Sequence, residues 1–188
     1  MNRKFRKIFQ ILVYYVTPIT LLVFSFITKD SHFFAELGNY SLYLLSAILF
    51  VKPIAAISKI NFFWDIVSYR RELGILTFWL FLFHSAGLVY LYKFYEPSAW
   101  SNLSGSIYWG LVGGLGMTIL AITANNYAVR LLRRNWKRLH YLAYFVLLTA
   151  FIHTALIRDE YVLFTVVFAI FFVLKVIEFS KLKKPAKE

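Results

Sequence analysis

Six apolar stretches, near residues 8–27, 40–57, 73–92, 106–129, 139–157 and 161–177, set the strongest constraint on this chain. At helical rise about 20 residues cross the ~30 Å hydrocarbon core of a bilayer, and each stretch approaches that length. None shows period-two alternation, and lipid-exposed backbone is satisfied only within helices or a closed barrel. The expected fold is therefore an all-α integral membrane protein, a bundle of six transmembrane helices. Composition agrees, since 60% of the 188 residues are hydrophobic and 16% charged, against roughly half and a quarter in soluble domains. The second stretch is the least regular because Lys52 and Pro53 fall inside it. Its helix is expected to end soon afterwards, with Lys52 snorkelling to the nearer interface.

The 21 Lys+Arg outnumber the 9 Asp+Glu, giving a net charge of +12. Eighteen of those cations fall at the two termini, in the second-to-third connection (Lys52, Lys59, Arg70, Arg71) and in the fourth-to-fifth (Arg130, Arg133, Arg134, Lys137, Arg138). The opposite side holds three, Lys29, Lys93 and Arg158, beside five acids. Cationic loops stay cytoplasmic, so both termini and both basic connections are expected inside. The charge is then a topology signal and not a nucleic-acid surface, which would need basic residues interleaved with polar contacts on one folded face. The first stretch is long for a signal-peptide core and no small-x-small cleavage site follows Phe26, so it reads as a span. No soluble domain or Gly-rich nucleotide fingerprint is visible, and residues 1–188 read as one membrane domain.

Ionisable residues inside spans mark function by default. The spans are expected to hold two, His84 in the third and His153 in the fifth, which run in the same direction. His84 lies 13 residues beyond Arg71 and His153 lies 15 beyond Arg138, about 20 and 22 Å at helical rise. Two imidazoles at one depth suit a planar cofactor ligated on both faces, with haem b the leading candidate. The chain has no cysteine, which removes thiolate ligation and covalent haem attachment, and a zinc or copper site would want three or four ligands. The plainer alternative is that each histidine hydrogen-bonds a hydroxyl or carbonyl of a neighbouring helix. Two axial imidazoles would close the iron to oxygen and favour electron transfer.

His140 belongs at the cytoplasmic interface, where it is either inert or a contact for a second haem, a flavin or a quinone. On an ideal helix it is offset from His153 by about 140°. Arg70 precedes His84 by 14 residues and shares its face, where a complete second haem site would want histidine. Arg70, Arg71, Arg138 and the Arg133-Arg134 pair suit lipid headgroups, or the propionates of an inner cofactor or a flavin phosphate. His32 reads as a solvated loop residue. Gly110-x-x-x-Gly114 reads as helix packing, whereas Gly74 and Gly87 admit either a macrocycle or a helix. Trp79 is too deep for an interfacial belt.

These motifs together resemble the ferric-reductase-like transmembrane domain, shared by NADPH oxidases and six-helix metalloreductases, in its short stand-alone form. The matching pieces are Tyr69-Arg70-Arg71-Glu72-Leu73-Gly74 with His84 ten residues on, Ala121-Ile122-Thr123-Ala124-Asn125, and Asn135-Trp136-Lys137-Arg138-Leu139-His140-Tyr141-Leu142-Ala143-Tyr144 with His153 thirteen residues on. The resemblance implies a b-type cytochrome of a bacterial inner membrane, with His84, His140 and His153 associated with haem and with FMN also bound in some members. It implies a separate electron donor, either a flavin reductase or quinol, and an extracytoplasmic acceptor such as an MsrP-like molybdenum enzyme that repairs oxidised methionine. A single histidine in the third helix departs from the two-haem pattern. Two other readings stay open: a reductase acting directly on ferric iron or another small external acceptor, and a non-redox carrier or scaffold.

Overall fold

The structure is a computed structural model that describes residues 3–28, 30–96, 98, 104–158 and 161–182. Lys29, Trp100, Asp159, Glu160, Lys183, Lys184 and Lys187, which enter the sequence reading, lie outside the described residues. Among these the chain is helical and without strands. The elements are α1 (Arg3–Ile11), a π-helical turn (Leu12–Val16), α2 (Thr17–Ile27), α3 (Ser31–Ser58), α4 (Asn61–Ser68), α5 (Arg70–Leu91), α6 (Gly105–Ile122), α7 (Asn126–Leu132), α8 (Arg134–Leu139), α9 (Leu142–Arg158) and α10 (Tyr161–Leu182).

Five of the described helical segments are long and apolar enough to cross a membrane: Lys4–Ile27, Ser31–Ser58, Arg70–Leu91, Gly105–Ile122 and Arg134–Arg158. The outward faces support that reading, with Phe26, Leu115 and Phe172 exposed by 77%, 66% and 63%. Apolar faces this extensive mark surfaces that meet lipid or a partner. α10 is a further helix of 22 residues, packed on α3.

Several boundaries differ from expectation, each for a local reason. Asp30 caps α3, its carboxylate accepting from the His32 N–H at 3.0 Å, so the helix begins nine residues before position 40. His32 therefore sits in the first turn of a 28-residue helix and not in a loop. That helix does not stop near Pro53. The ring is buried within it, and the helix ends at Lys59 in left-handed geometry. Lys52, expected to snorkel, pairs with Glu178 Oε1 of α10 at 3.2 Å. The fourth span ends at Ile122, short of position 129, because the Asn125 side chain accepts from the Ala128 N–H at 2.8 Å and starts α7. Within the first span, Pro18 has no N–H to offer Tyr14, and the preceding turn widens so that Thr17 bonds back to Leu12.

The bundle is organised as two closely packed pairs, α3 with α5 and α6 with α9. Between them lies one apolar core: Leu42, Leu45 and Leu49 of α3, Met117 and Leu120 of α6, Val146, Leu147 and Phe151 of α9, and Phe171 of α10. α1, the π turn and α2 lie along α5.

Two acids just beyond the ends of the expected spans are also buried. Glu72, in the first turn of α5, is fully buried, and Glu178 of α10 is 4% exposed. Glu72 Oε1 accepts from Arg6 Nη2 at 3.0 Å, Arg6 Nε at 3.2 Å and Gln10 Nε2 at 2.9 Å. Glu178 Oε2 accepts from Lys175 Nζ at 2.7 Å, while its other oxygen meets Lys52. Both carboxylates stitch one helix to another on the basic side.

Candidate functional site

His84 stands mid-way along α5, and its Nδ1 lies 2.8 Å from the backbone oxygen of Phe34 in the first turn of α3. His153 stands on α9, and its Nδ1 lies 2.7 Å from the backbone oxygen of Ser106 in the first turn of α6. A carbonyl can only accept, so both Nδ1 atoms carry the proton and both Nε2 atoms hold a free lone pair. Each ring bonds a neighbouring helix through one nitrogen, as the plainer alternative expects, and keeps the other available. That is the usual arrangement of a metal-ligating histidine, in which the outer N–H donates to a carbonyl or carboxylate and fixes the ring.

The two rings are half-buried and within electrostatic range of one another. Among the described residues no three His, Cys, Asp or Glu cluster as a metal site would need. The donor set fits a group requiring two neutral nitrogens and bringing its own remaining ligands, as haem does. Trp79 Nε1 is buried with no hydrogen-bond partner among the described residues, but five residues before His84 on α5 it lies about 140° around the helix from that ring. Nothing lies within 4 Å of where a Cβ on Gly74 would be, so that position is open, whereas Gly87 backs onto the Phe34 ring and Gly114 onto Phe81.

His140 is arranged differently. Its ring stacks on Trp136, with centroids 4.0 Å apart, and Nε2 lies 3.3 Å from Thr123 Oγ1. Trp136 Nε1 donates to the Thr123 carbonyl at 2.8 Å, so the pair anchors α8 to the end of α6. The backbone between His140 and Tyr144 carries i-to-i+3 bonds, and the ideal-helix angle between His140 and His153 therefore does not apply. Arg70 lies within electrostatic range of His140, so the surroundings of this imidazole include a cation.

The basic residues divide. Arg71 Nη1 donates to Asn126 Oδ1 at 2.6 Å, and Arg71 lines a cleft of about 580 Å³ with Lys7, Gln10, Tyr14, Asn125 and Asn126. Arg138 is exposed on α8. The sequence reading missed Glu72 and Glu178. Both are among the few acids on an otherwise cationic side, which is the signal that could have singled them out.

Fold and site define a helical membrane protein with a pair of tautomer-fixed imidazoles inside the bundle. Residues 37–151 match the family described as the ferric reductase like transmembrane component, and the chain belongs to that family, as its motifs suggest. The matched stretch includes His84 and His140 and ends just short of His153. Among curated proteins the chain is 30% identical over 130 residues to the "Protein-methionine-sulfoxide reductase heme-binding subunit MsrQ" of Agrobacterium fabrum, covering 66% of this chain and 57% of that one. It is 32% identical over 120 residues to the protein of the same name from Brucella anthropi, covering 62% and 53%. The matched region thus spans little more than half the length of these relatives. No solved structure matches the chain.

Proposed function

We propose that this chain is a single membrane domain of six spans, both termini on the basic cytoplasmic side of a bacterial inner membrane, that binds haem b and passes electrons outward. The observation that carries the reading is the matched state of His84 and His153, each with Nδ1 committed to a backbone carbonyl and Nε2 free. The relatives named as heme-binding subunits support it. A haem b held by His84 and His153 would supply a one-electron couple suited to electron transfer. His84 and His153 would hold and orient the group, and the bundle's apolar core would exclude water.

On the basic side His140, Arg70, Arg71 and Arg138 form the donor region. The cleft beside Arg71 is where the head of a quinol, or the flavin of a separate FMN-carrying reductase, meets the chain. The acceptor is an extracytoplasmic oxidoreductase of the methionine-sulfoxide-repairing kind, an MsrP-like molybdenum enzyme. The decisive measurement is the absorption spectrum of protein purified from haem-replete cells, with low-spin reduced bands expected at one haem per chain. A colourless, folded preparation would instead support a carrier or scaffold. Rapid re-oxidation by ferric chelates without a protein acceptor would favour direct metal reduction.

The orientation has its own test, made simple because the chain has no cysteine. A Tyr95→Cys variant, exposed in the α5–α6 connection, should react with an impermeant maleimide added to intact spheroplasts. Asn61→Cys, at the start of α4, should react only after lysis. The reverse pattern would invert the proposed topology.

A further inference from the structure

The two imidazoles are held by the same device used twice. On α3 the accepting carbonyl belongs to Phe34 and a glycine, Gly38, follows four residues later; on α6 the carbonyl belongs to Ser106 and Gly110 follows four residues later. Each glycine lies directly against the ring that its helix orients. A Cβ on Gly38 would sit 2.6 Å from both Nδ1 and Cε1 of His84, and one on Gly110 would sit 2.9 Å from the same two atoms of His153. In a helix the carbonyl of residue i already accepts the N–H of residue i+4, so the imidazole must approach its second lone pair from the side. The absent side chain four residues on opens that approach.

We infer that Gly38 and Gly110 are positioning residues for the two axial ligands, each forming with the carbonyl four residues earlier a notch that fixes the tautomer and angle of the imidazole on the partner helix. This rests on the proposed ligation by His84 and His153. The α3–α5 and α6–α9 pairs are equivalent in this respect, each contributing one ligand through one notch. A short Nδ1–H···O=C bond makes the imidazole a stronger donor and favours the more oxidised metal. Displacing the ring weakens that bond, and the midpoint potential rises. The effect is larger at Gly38, where the added Cβ would crowd the ring more.

The test compares Gly38→Ala, Gly110→Ala and Gly113→Ala in native membranes by redox titration and low-temperature EPR. Gly113 provides the structural control, because its Cβ would lie 2.7 Å from Thr149 Oγ1 and touch no histidine. The expected result is a raised potential and altered low-spin g values in Gly38→Ala, a smaller change of the same sign in Gly110→Ala, and haem affinity lowered by about 10–100-fold in the first. Gly113→Ala should lose thermal stability and keep the wild-type potential and g values. Wild-type potential and g values in Gly110→Ala at full occupancy would overturn the inference even where Gly38→Ala fails to accumulate. An equal shift in Gly113→Ala would do so as well. Failure of the ligand assignment is read separately, from His84→Ala and His153→Ala, which change haem content whether or not the glycines matter.

Discussion

His84→Ala and His153→Ala are each expected to abolish the low-spin haem spectrum. The loss should exceed the roughly 10–100-fold in affinity that removing a hydrogen-bonding partner of a metal ligand costs, because an axial bond itself disappears. No replacement is at hand. The chain has no cysteine and only two methionines, and His140 has its Nε2 beside Thr123 and its ring on Trp136. His32→Ala changes an exposed residue in the first turn of α3 and should leave the spectrum intact. His140→Ala should keep the haem and slow its reduction by the donor. The measurement is a reduced-minus-oxidised spectrum normalised to protein. A full low-spin signal in either His84→Ala or His153→Ala would remove that residue from the ligand set.

Glu72→Ala should be the most destabilising change away from the histidines. Its carboxylate is fully buried, and a single oxygen gathers three hydrogen bonds from two residues of α1. Removing it takes the carboxylate acceptor from Arg6 and Gln10 and leaves Arg6 only its longer bond to the Ser68 carbonyl, which loosens the polar clamp that docks α1 on α5. What remains of the contact is the Arg6 Nη2 bond to the Ser68 carbonyl at 3.4 Å, the Arg6 guanidinium over the Tyr69 ring, and edge-on packing of Phe5 and Phe9 against Tyr69. Breaking a buried pair by deleting one partner costs about 3–5 kcal/mol. Arg6 is 35% exposed, so solvent screening places this case near the lower end. For a chain of this size about 3 kcal/mol corresponds to roughly 6–12 °C in melting temperature. Glu72→Gln retains an acceptor oxygen and should lose distinctly less. A melting curve in detergent decides, and a Glu72→Ala melt equal to wild type would show that the clamp contributes nothing to stability.

Much of this molecule could be read before any coordinates. The apolar runs located five membrane-crossing segments and the long α10, because lipid demands length and composition that little else produces. His84 and His153 stood out because an ionisable side chain deep in such a run is expensive. The start of α3 was missed although its signal, Asp30 before Ser31, was present in the sequence. The polar look of residues 30–39 outweighed a one-residue cap. The break after Ile122 was missed for a related reason, since the Asn125 cap is a local event inside an apolar stretch. The role of Gly38 and the burial of Glu72 were illegible for a deeper cause. A glycine in a helix reads as a weak point until the partner that presses against it is known. A carboxylate beside two arginines reads as solvated until a third element, here α1, is seen to cover it.

Both carbonyls that orient the imidazoles lie in first turns, Phe34 four residues into α3 and Ser106 two residues into α6. First turns are where helices fray, because their leading N–H groups have no partner along the helix. The stiffness of the imidazole pair is therefore set by the quality of two helix ends. Asp30, which caps one of them and is worth about 0.5–2 kcal/mol in that role, acts on His84 without touching it. A residue that looks like punctuation between two spans is in this sense a component of the proposed haem site.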